Sequence, residues 1–114
     1  MLTEAVPEGY QQRIVVKDNG VIRIIPASEI QYLEAADDYV KIVTADSSFL
    51  KKSTLGSMEA SLDPQQFVRV HRSYLINRFF INSIGKSQIE IGEIQIPIGE
   101  SYKEVLTQFK EKLA

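Results

Sequence analysis

The feature that most constrains the fold is a repeated pattern of short β-prone runs separated by tight-turn signals. The first two runs, 13–16 and 21–25, flank Asn19-Gly20. An Asn-Gly pair favours a tight hairpin turn because both residues tolerate positive φ. The pattern therefore predicts a succession of antiparallel hairpins. Further β-prone runs lie at 30–34, 39–44, 49–52, 67–70, 74–76, 79–84 and 89–98, the last being an isoleucine alternation that breaks at Gly92-Glu93.

The period changes from strand-like to helical in two places. Leu55, Met58 and Leu62 recur at helical spacing, and either Ser53 or Thr54 can cap this short helix. A second helix is predicted at the C-terminal end. We therefore expect an all-β fold, an elongated sandwich or barrel of mainly antiparallel short strands, with one short internal helix and a C-terminal helix. The predicted apolar face of the C-terminal helix comprises Tyr102, Val105, Leu106, Phe109 and Leu113.

Length and composition restrict the class of protein. A chain of 114 residues that is 44% apolar fits one domain, and we expect a linker or frayed segment at 1–11 followed by a domain at 12–114. The absence of cysteine excludes disulfides and thiolate metal sites, and His71 is the single histidine. No cofactor or metal site is predicted. No run approaches the roughly 20 apolar residues that span a bilayer, so we expect no membrane contact and a cytoplasmic location.

The charge is small but unevenly distributed. A net charge of −2 and a pI near 5.4 argue against a protein that coats nucleic acid nonspecifically. However, residues 64–89 contain no acid, and they include Arg69, Arg72, Arg78 and Lys86. This segregation indicates an anionic partner.

The segment from Phe67 to Asn77, FVRVHRSYLIN, resembles the signature of the LytTR family of DNA-binding domains. Other blocks agree in order, and together they cover roughly residues 12–112. These blocks are Ile30-Gln31-Tyr32-Leu33-Glu34-Ala35, Tyr39-Val40-Lys41-Ile42, the helix at 55–62, and Ile96-Pro97-Ile98 with Ser101-Tyr102.

The resemblance implies a sequence-specific double-stranded DNA-binding module, the output domain of a bacterial two-component transcription regulator. It implies recognition by loops at strand ends, which enter successive major grooves, and not by a recognition helix. It also implies a receiver domain in the full-length protein and a homodimer on DNA that occupies paired direct repeats.

The candidate DNA-binding residues centre on the segment 69–78. An arginine fork suits both phosphate oxygens and the edge of guanine, so Arg69, Arg72 and Arg78 are candidates, and Arg69 is expected on an exposed face. Ser73 is a candidate phosphate ligand in the turn. Two roles remain open for His71, a phosphate contact or orientation of the turn. Asn77 is expected to bond backbone.

The remaining candidates lie in three other segments. Lys41 is a candidate phosphate contact, and of Lys51 and Lys52 only one can face DNA because they alternate across a strand. Ser101 and Lys103 are candidates in the last loop. The candidate site comprises Lys41, Arg69, His71, Arg72, Ser73, Arg78, Glu100, Ser101 and Lys103.

Glu100 departs from the family pattern, which usually has arginine at this position. A carboxylate there repels phosphate but can accept from a cytosine amino group. Glu100 and the negative net charge of the chain keep an alternative open. This alternative is a protein-interaction or dimerisation domain on the same scaffold, with DNA binding weakened or lost. No enzyme is predicted, because no phosphate loop, metal cluster or acid–base pair stands out.

Overall fold

The central element is a five-stranded antiparallel sheet. The computed structural model describes residues 12–113, excluding the side chains of Phe109 and residues 111–113, so the predicted linker at 1–11 lies outside the described residues. The strands are β1 Arg13–Asp18, β2 Val21–Pro26, β3 Ile30–Ala36, β4 Tyr39–Thr44, β5 Ser48–Lys52, β6 Phe67–His71, β7 Tyr74–Asn77, β8 Ser83–Ile84, β9 Gln88–Ile91 and β10 Ile94–Pro97, and the helices are α1 Leu55–Ser61 and α2 Lys103–Leu113.

The central sheet has the strand order β5-β4-β3-β7-β6. Strands β1 and β2 form a separate hairpin, and β10-β9-β8 form a three-stranded sheet. All pairings in the described part are antiparallel. With principal extents of 44 × 34 × 25 Å, the structure confirms the expected elongated, mainly β fold with two short helices.

Two apolar clusters lie on the two faces of the central sheet because neighbouring residues of a strand point to opposite faces. Leu33 packs in a cluster with the β1–β2 hairpin and α1, whereas the adjacent Tyr32 packs in a cluster with the three-stranded sheet and α2. Phe67 and Val68 divide between the clusters in the same way. Burial on both faces holds the strands rigidly, which fixes the positions of the loops at their ends.

Local signals in the sequence set several turns and caps. Asn19 and Gly20 have φ of 54° and 82°, which confirms the predicted tight hairpin. Gly92 has φ of 59° in the β9–β10 turn, where the isoleucine alternation breaks. Thr54 caps α1, and its hydroxyl accepts a hydrogen bond from the Ser57 amide at 3.1 Å. Of the two predicted caps, the structure therefore selects Thr54.

The strand predicted at 79–84 is wrong in its first half. The Asn77 Oδ1 accepts a hydrogen bond from the Phe79 amide at 3.0 Å, and a 3₁₀ turn follows at Arg78–Phe80. A side chain that bonds nearby backbone in this way competes with strand pairing. Only Ser83–Ile84 pairs as a strand.

Asn77 is fully buried, and its amide joins two segments that are distant in sequence. Its Nδ2 donates to the carbonyl oxygens of Ile30 at 2.8 Å and Ala27 at 3.3 Å. Bonding to backbone is the role expected from the sequence.

The apolar face predicted for the C-terminal helix is only partly correct. Leu106 is buried against the sheet, but Val105 is 49% exposed. The predicted positions Phe109 and Leu113 lie outside the described side chains. No helix within residues 12–113 is long and apolar enough to cross a membrane.

Candidate nucleic-acid interface

Two hairpin turns lie side by side at one end of the central sheet. The β3–β4 turn contains residues 37–38, and the β6–β7 turn contains residues 72–73. Because β3 pairs with β7, the Ala35 amide donates to the Ser73 carbonyl oxygen at 2.9 Å. Both turns therefore lie at the same end of the strands, and we call this end of the sheet the loop end.

A third loop, Gly99 to Ser101, joins the loop end on the far side of β6. The Gly99 amide donates to the Val70 carbonyl oxygen at 2.8 Å. A methyl group at Gly99 would lie 3.0 Å from Tyr102 Cδ2 and 3.5 Å from His71 Cδ2, so this loop packs closely on the β6–β7 turn. The β6–β7 turn is thus the middle one of the three loops.

Arg72 is the exposed tip of the middle loop, and its neighbours order the backbone that carries it. The Ser73 amide donates to His71 Nδ1 at 3.0 Å. The His71 ring meets the Tyr74 ring edge-on, with 5.7 Å between their centroids. Of the two roles open for His71, these contacts support orientation of the turn.

Arg69 does not lie on an exposed face, and that expectation is wrong. Its side chain is only 17% exposed, since α1 packs over this part of β6. The guanidinium donates from Nε to the His71 carbonyl oxygen at 2.9 Å, from NH2 to the Arg72 carbonyl oxygen, and from NH1 to the Glu59 carboxylate at 2.7 Å. DNA contact by Arg69 stays a prediction, but its donors already have protein partners.

Arg78 does not share a surface with Arg72. In the β6–β7 hairpin, His71 pairs with Tyr74 at the loop end, whereas Phe67 pairs with Asn77 at the other end of the strands. Arg78 follows Asn77 and is therefore opposite the loop end. Its Cζ lies 4.9 Å from the centroid of the Phe79 ring. Of the three arginines along this strand-turn-strand, Arg72 is the exposed one at the loop end.

The lysines of β4 and β5 occupy different positions relative to the loop end. Lys52 is exposed and pairs with Tyr39, the first residue after the β3–β4 turn. Lys51 points the other way, and its Nζ donates to the Val15 carbonyl oxygen at 2.7 Å. Lys41 is half-buried and lies farther in, directly opposite Glu34 on β3. Of the Lys51–Lys52 pair, Lys52 is therefore the member that is exposed at the loop end.

The last loop has a charged tip. The Glu100 side chain is 90% exposed, and its carboxylate forms an ion pair of 3.4 Å with Lys103 in the next helical turn. Ser101 is exposed between them. An ion pair this exposed is weak, so both charges remain available to a partner.

The loop end is close to balanced in charge. It carries the cations Arg72, Lys52 and Lys103 and the acids Glu100, Asp37 and Asp38, all of them exposed. Among the described residues, no group of three or more metal-ligating side chains is placed to hold a metal ion. The arrangement suits contacts with a polyanion at a few chosen points.

Two features of this candidate site were not evident in the sequence. Glu59 lies 10 residues before Arg69, and only the packing of α1 on β6 brings the two together. The position of Lys52 at the loop end follows from the pairing register of β4 and β5. A pattern of charges along the chain indicates neither relationship.

The chain matches a family model described as LytTr DNA-binding domain over residues 20–113. It is 30% identical over 82 residues to the sensory transduction protein LytT of Bacillus subtilis. This alignment covers 72% of this chain and 34% of LytT. It is 29% identical over 82 residues to a CO-responsive transcriptional regulator of Rhodospirillum rubrum, covering 72% of this chain and 35% of the regulator. The chain thus spans about a third of the length of these relatives.

The fold also matches a solved structure. A LytTr DNA-binding domain assigned to a methyl-accepting/DNA response regulator from Bacillus cereus superposes with a TM-score of 0.76. The match covers 88% of this chain and 96% of the other, at 24% identity, and it shows that the two share a fold. From the family match over most of its length, this chain belongs to the LytTR family of DNA-binding domains.

Proposed function

We propose that this chain binds double-stranded DNA sequence-specifically, as the output domain of a bacterial two-component transcription regulator. The observation that carries the proposal is the grouping of three strand-end loops at the loop end of a rigid sheet, with Arg72 exposed on the middle loop. Family membership supports the same function.

In this proposal, the three loops make different kinds of contact with DNA. The flanking loops enter major grooves of the duplex, where base edges carry a distinct donor and acceptor pattern. Lys52 and Lys103 neutralise phosphates and fix the register of the domain on DNA. Arg72 supplies the central contact, because its fork of donors matches both phosphate oxygens and base edges.

Charge balance at the loop end implies weak binding by one copy. Affinity for DNA depends largely on the number of phosphates that cations neutralise, and the acids Asp37, Asp38 and Glu100 oppose this. Two copies on paired direct repeats strengthen the complex because the second contact becomes intramolecular. In the full-length protein, a receiver domain that forms homodimers supplies that linkage.

A salt series tests the proposal. A duplex selected from a random pool is titrated with the chain at several salt concentrations, and a scrambled duplex serves as the control. We expect preference for the selected duplex, and an affinity that falls with salt by a slope of about 3, for three or four phosphates. Salt-independent or absent binding would contradict DNA recognition.

A second candidate function is favoured by the acids at the loop end. With Glu100 and the Asp37-Asp38 pair exposed, the scaffold also suits a protein-interaction or dimerisation role. In that case sedimentation equilibrium of the chain alone would show self-association, and the salt series would show no DNA complex.

A further inference from the structure

The peptide unit between Arg72 and Ser73 is held by side chains at both of its polar atoms. Its carbonyl oxygen, on Arg72, accepts from the Arg69 guanidinium, and its amide, on Ser73, donates to His71 Nδ1. A peptide unit is planar, so fixing both ends prevents its rotation. This unit is the central peptide of the β6–β7 turn.

The turn needs this support because its backbone is unusual for a hairpin. Two-residue hairpin loops favour turn types with positive φ. Asn19 and Asp37 provide positive φ in two other hairpins, but neither Arg72 nor Ser73 does so. The register of β6 also shifts between Arg69 and His71. Rotation of a central peptide converts one turn type into another, which would re-aim the side chains at the tip.

Arg69 is itself held from the opposite side by helix α1. The Glu59 carboxylate accepts from Arg69 NH1 at 2.7 Å, while the other two contacts of the guanidinium go to backbone of the turn. The planar fork of arginine can make these contacts together, whereas a lysine ammonium cannot span the same geometry. Arg69 therefore links helix α1, through Glu59, to the backbone of the β6–β7 turn.

We propose that Arg69 is a positioning residue, which locks the Arg72–Ser73 peptide so that Arg72 meets DNA in one orientation. This inference rests on the proposed function. Arg69 acts through the turn and does not touch the duplex. Because the tip is ordered before binding, less conformational entropy is lost in the complex.

The test compares Arg69→Lys, which keeps the charge but not the fork, with the matched control Arg23→Lys. Arg23 is an exposed arginine of β2 in an ion pair with Asp18 at 3.4 Å. For Arg69→Lys we expect affinity for the selected duplex to fall by about tenfold through lost preorganisation. Binding to the scrambled duplex and the salt slope should stay unchanged, and Arg23→Lys should match the parent.

A second measurement needs no DNA. In the free protein, ¹⁵N relaxation and hydrogen exchange of the Ser73 amide report the order of the turn. We expect Arg69→Lys and Glu59→Gln to raise both mobility and exchange at Ser73, with unchanged spectra for the sheet. A variant that fails to fold is detected by loss of those sheet signals, and Glu59→Gln then carries the test.

Two results would overturn the inference. One is an unchanged Ser73 amide in folded Arg69→Lys and Glu59→Gln. The other is an equal loss of affinity of Arg69→Lys for both duplexes, which marks a sequence-independent contact of Arg69 with the DNA backbone. If the parent binds no duplex, the proposed function fails, whereas the Ser73 amide still decides whether Arg69 holds the turn.

Discussion

The Tyr74 hydroxyl on β7 donates a hydrogen bond to the Glu34 carboxylate on the neighbouring strand β3 at 3.1 Å. Burial raises the pKa of Tyr74 above its ordinary value of 10.0, and the Glu34 charge raises it further. The folded state therefore holds this proton more firmly than the unfolded state does. The stability that the Tyr74 proton contributes is fully present below pH 10.0 and is lost as the pH rises through the folded pKa. Burial and Glu34 raise the pKa of Tyr32 in the same direction.

Tyr74→Phe should therefore weaken the pH dependence of stability. At neutral pH the variant loses a hydrogen bond to a charged group, and we expect it to be less stable by about 1 kcal/mol. Between about pH 9 and about pH 11 the difference from the parent should narrow, because the parent must ionise Tyr74 on unfolding. Urea unfolding at both pH values measures this. A constant difference would contradict the assignment.

Arg72→Ala should remove the central contact with DNA. We expect the free energy of specific binding to weaken by about 1–3 kcal/mol if Arg72 reads a base. A matched control is Arg23→Ala, which removes an exposed arginine on the β1–β2 hairpin. Titration of the selected duplex measures the loss. Parent-like affinity for Arg72→Ala would exclude this residue from the interface.

Lys52→Ala and Lys51→Ala form a matched pair at adjacent positions. Lys52 is exposed at the loop end, whereas Lys51 donates to the Val15 carbonyl oxygen. We expect Lys52→Ala to reduce the salt slope by about 0.9, the effect of one phosphate. Lys51→Ala should leave the slope unchanged. Equal slopes for the two variants would remove Lys52 from the interface.

Glu100→Gln should increase affinity for DNA. The substitution removes an exposed carboxylate and releases Lys103 from its ion pair. Because exposed charge interactions are weak, we expect a gain of about two- to fivefold. The control is Glu93→Gln in the β9–β10 turn. Weaker binding of Glu100→Gln would instead indicate that the carboxylate accepts from a base.

Asn77→Ala should destabilise the fold. The buried amide donates to the carbonyl oxygens of Ile30 and Ala27, and the variant loses both hydrogen bonds. We expect a loss of about 2–3 kcal/mol in the free energy of unfolding. Gln65→Ala, which removes an exposed amide, is the control for urea unfolding. A loss no larger than that of the control would contradict a structural role for Asn77.

Local signals along the chain account for most of the turns, caps and strands. Asn19-Gly20 and Gly92 set hairpin turns because their backbones accept positive φ, and Thr54 set the start of α1 through its hydroxyl. Alternation of apolar residues determined most strands. The strand predicted at 79–84 failed because one side chain, Asn77, bonded the Phe79 amide in place of a strand neighbour.

Which candidate residues lie together depends on contacts between segments that are distant along the chain. Arg69, Arg72 and Arg78 are equivalent as sequence letters, yet one is held by α1, one is exposed at the loop end, and one lies at the opposite end of the hairpin. These differences depend on strand register and on helix packing between residues distant along the chain. Local propensity carries no information on such contacts. They form only when the hairpin, the helices and the three-stranded sheet pack on the two faces of the central sheet.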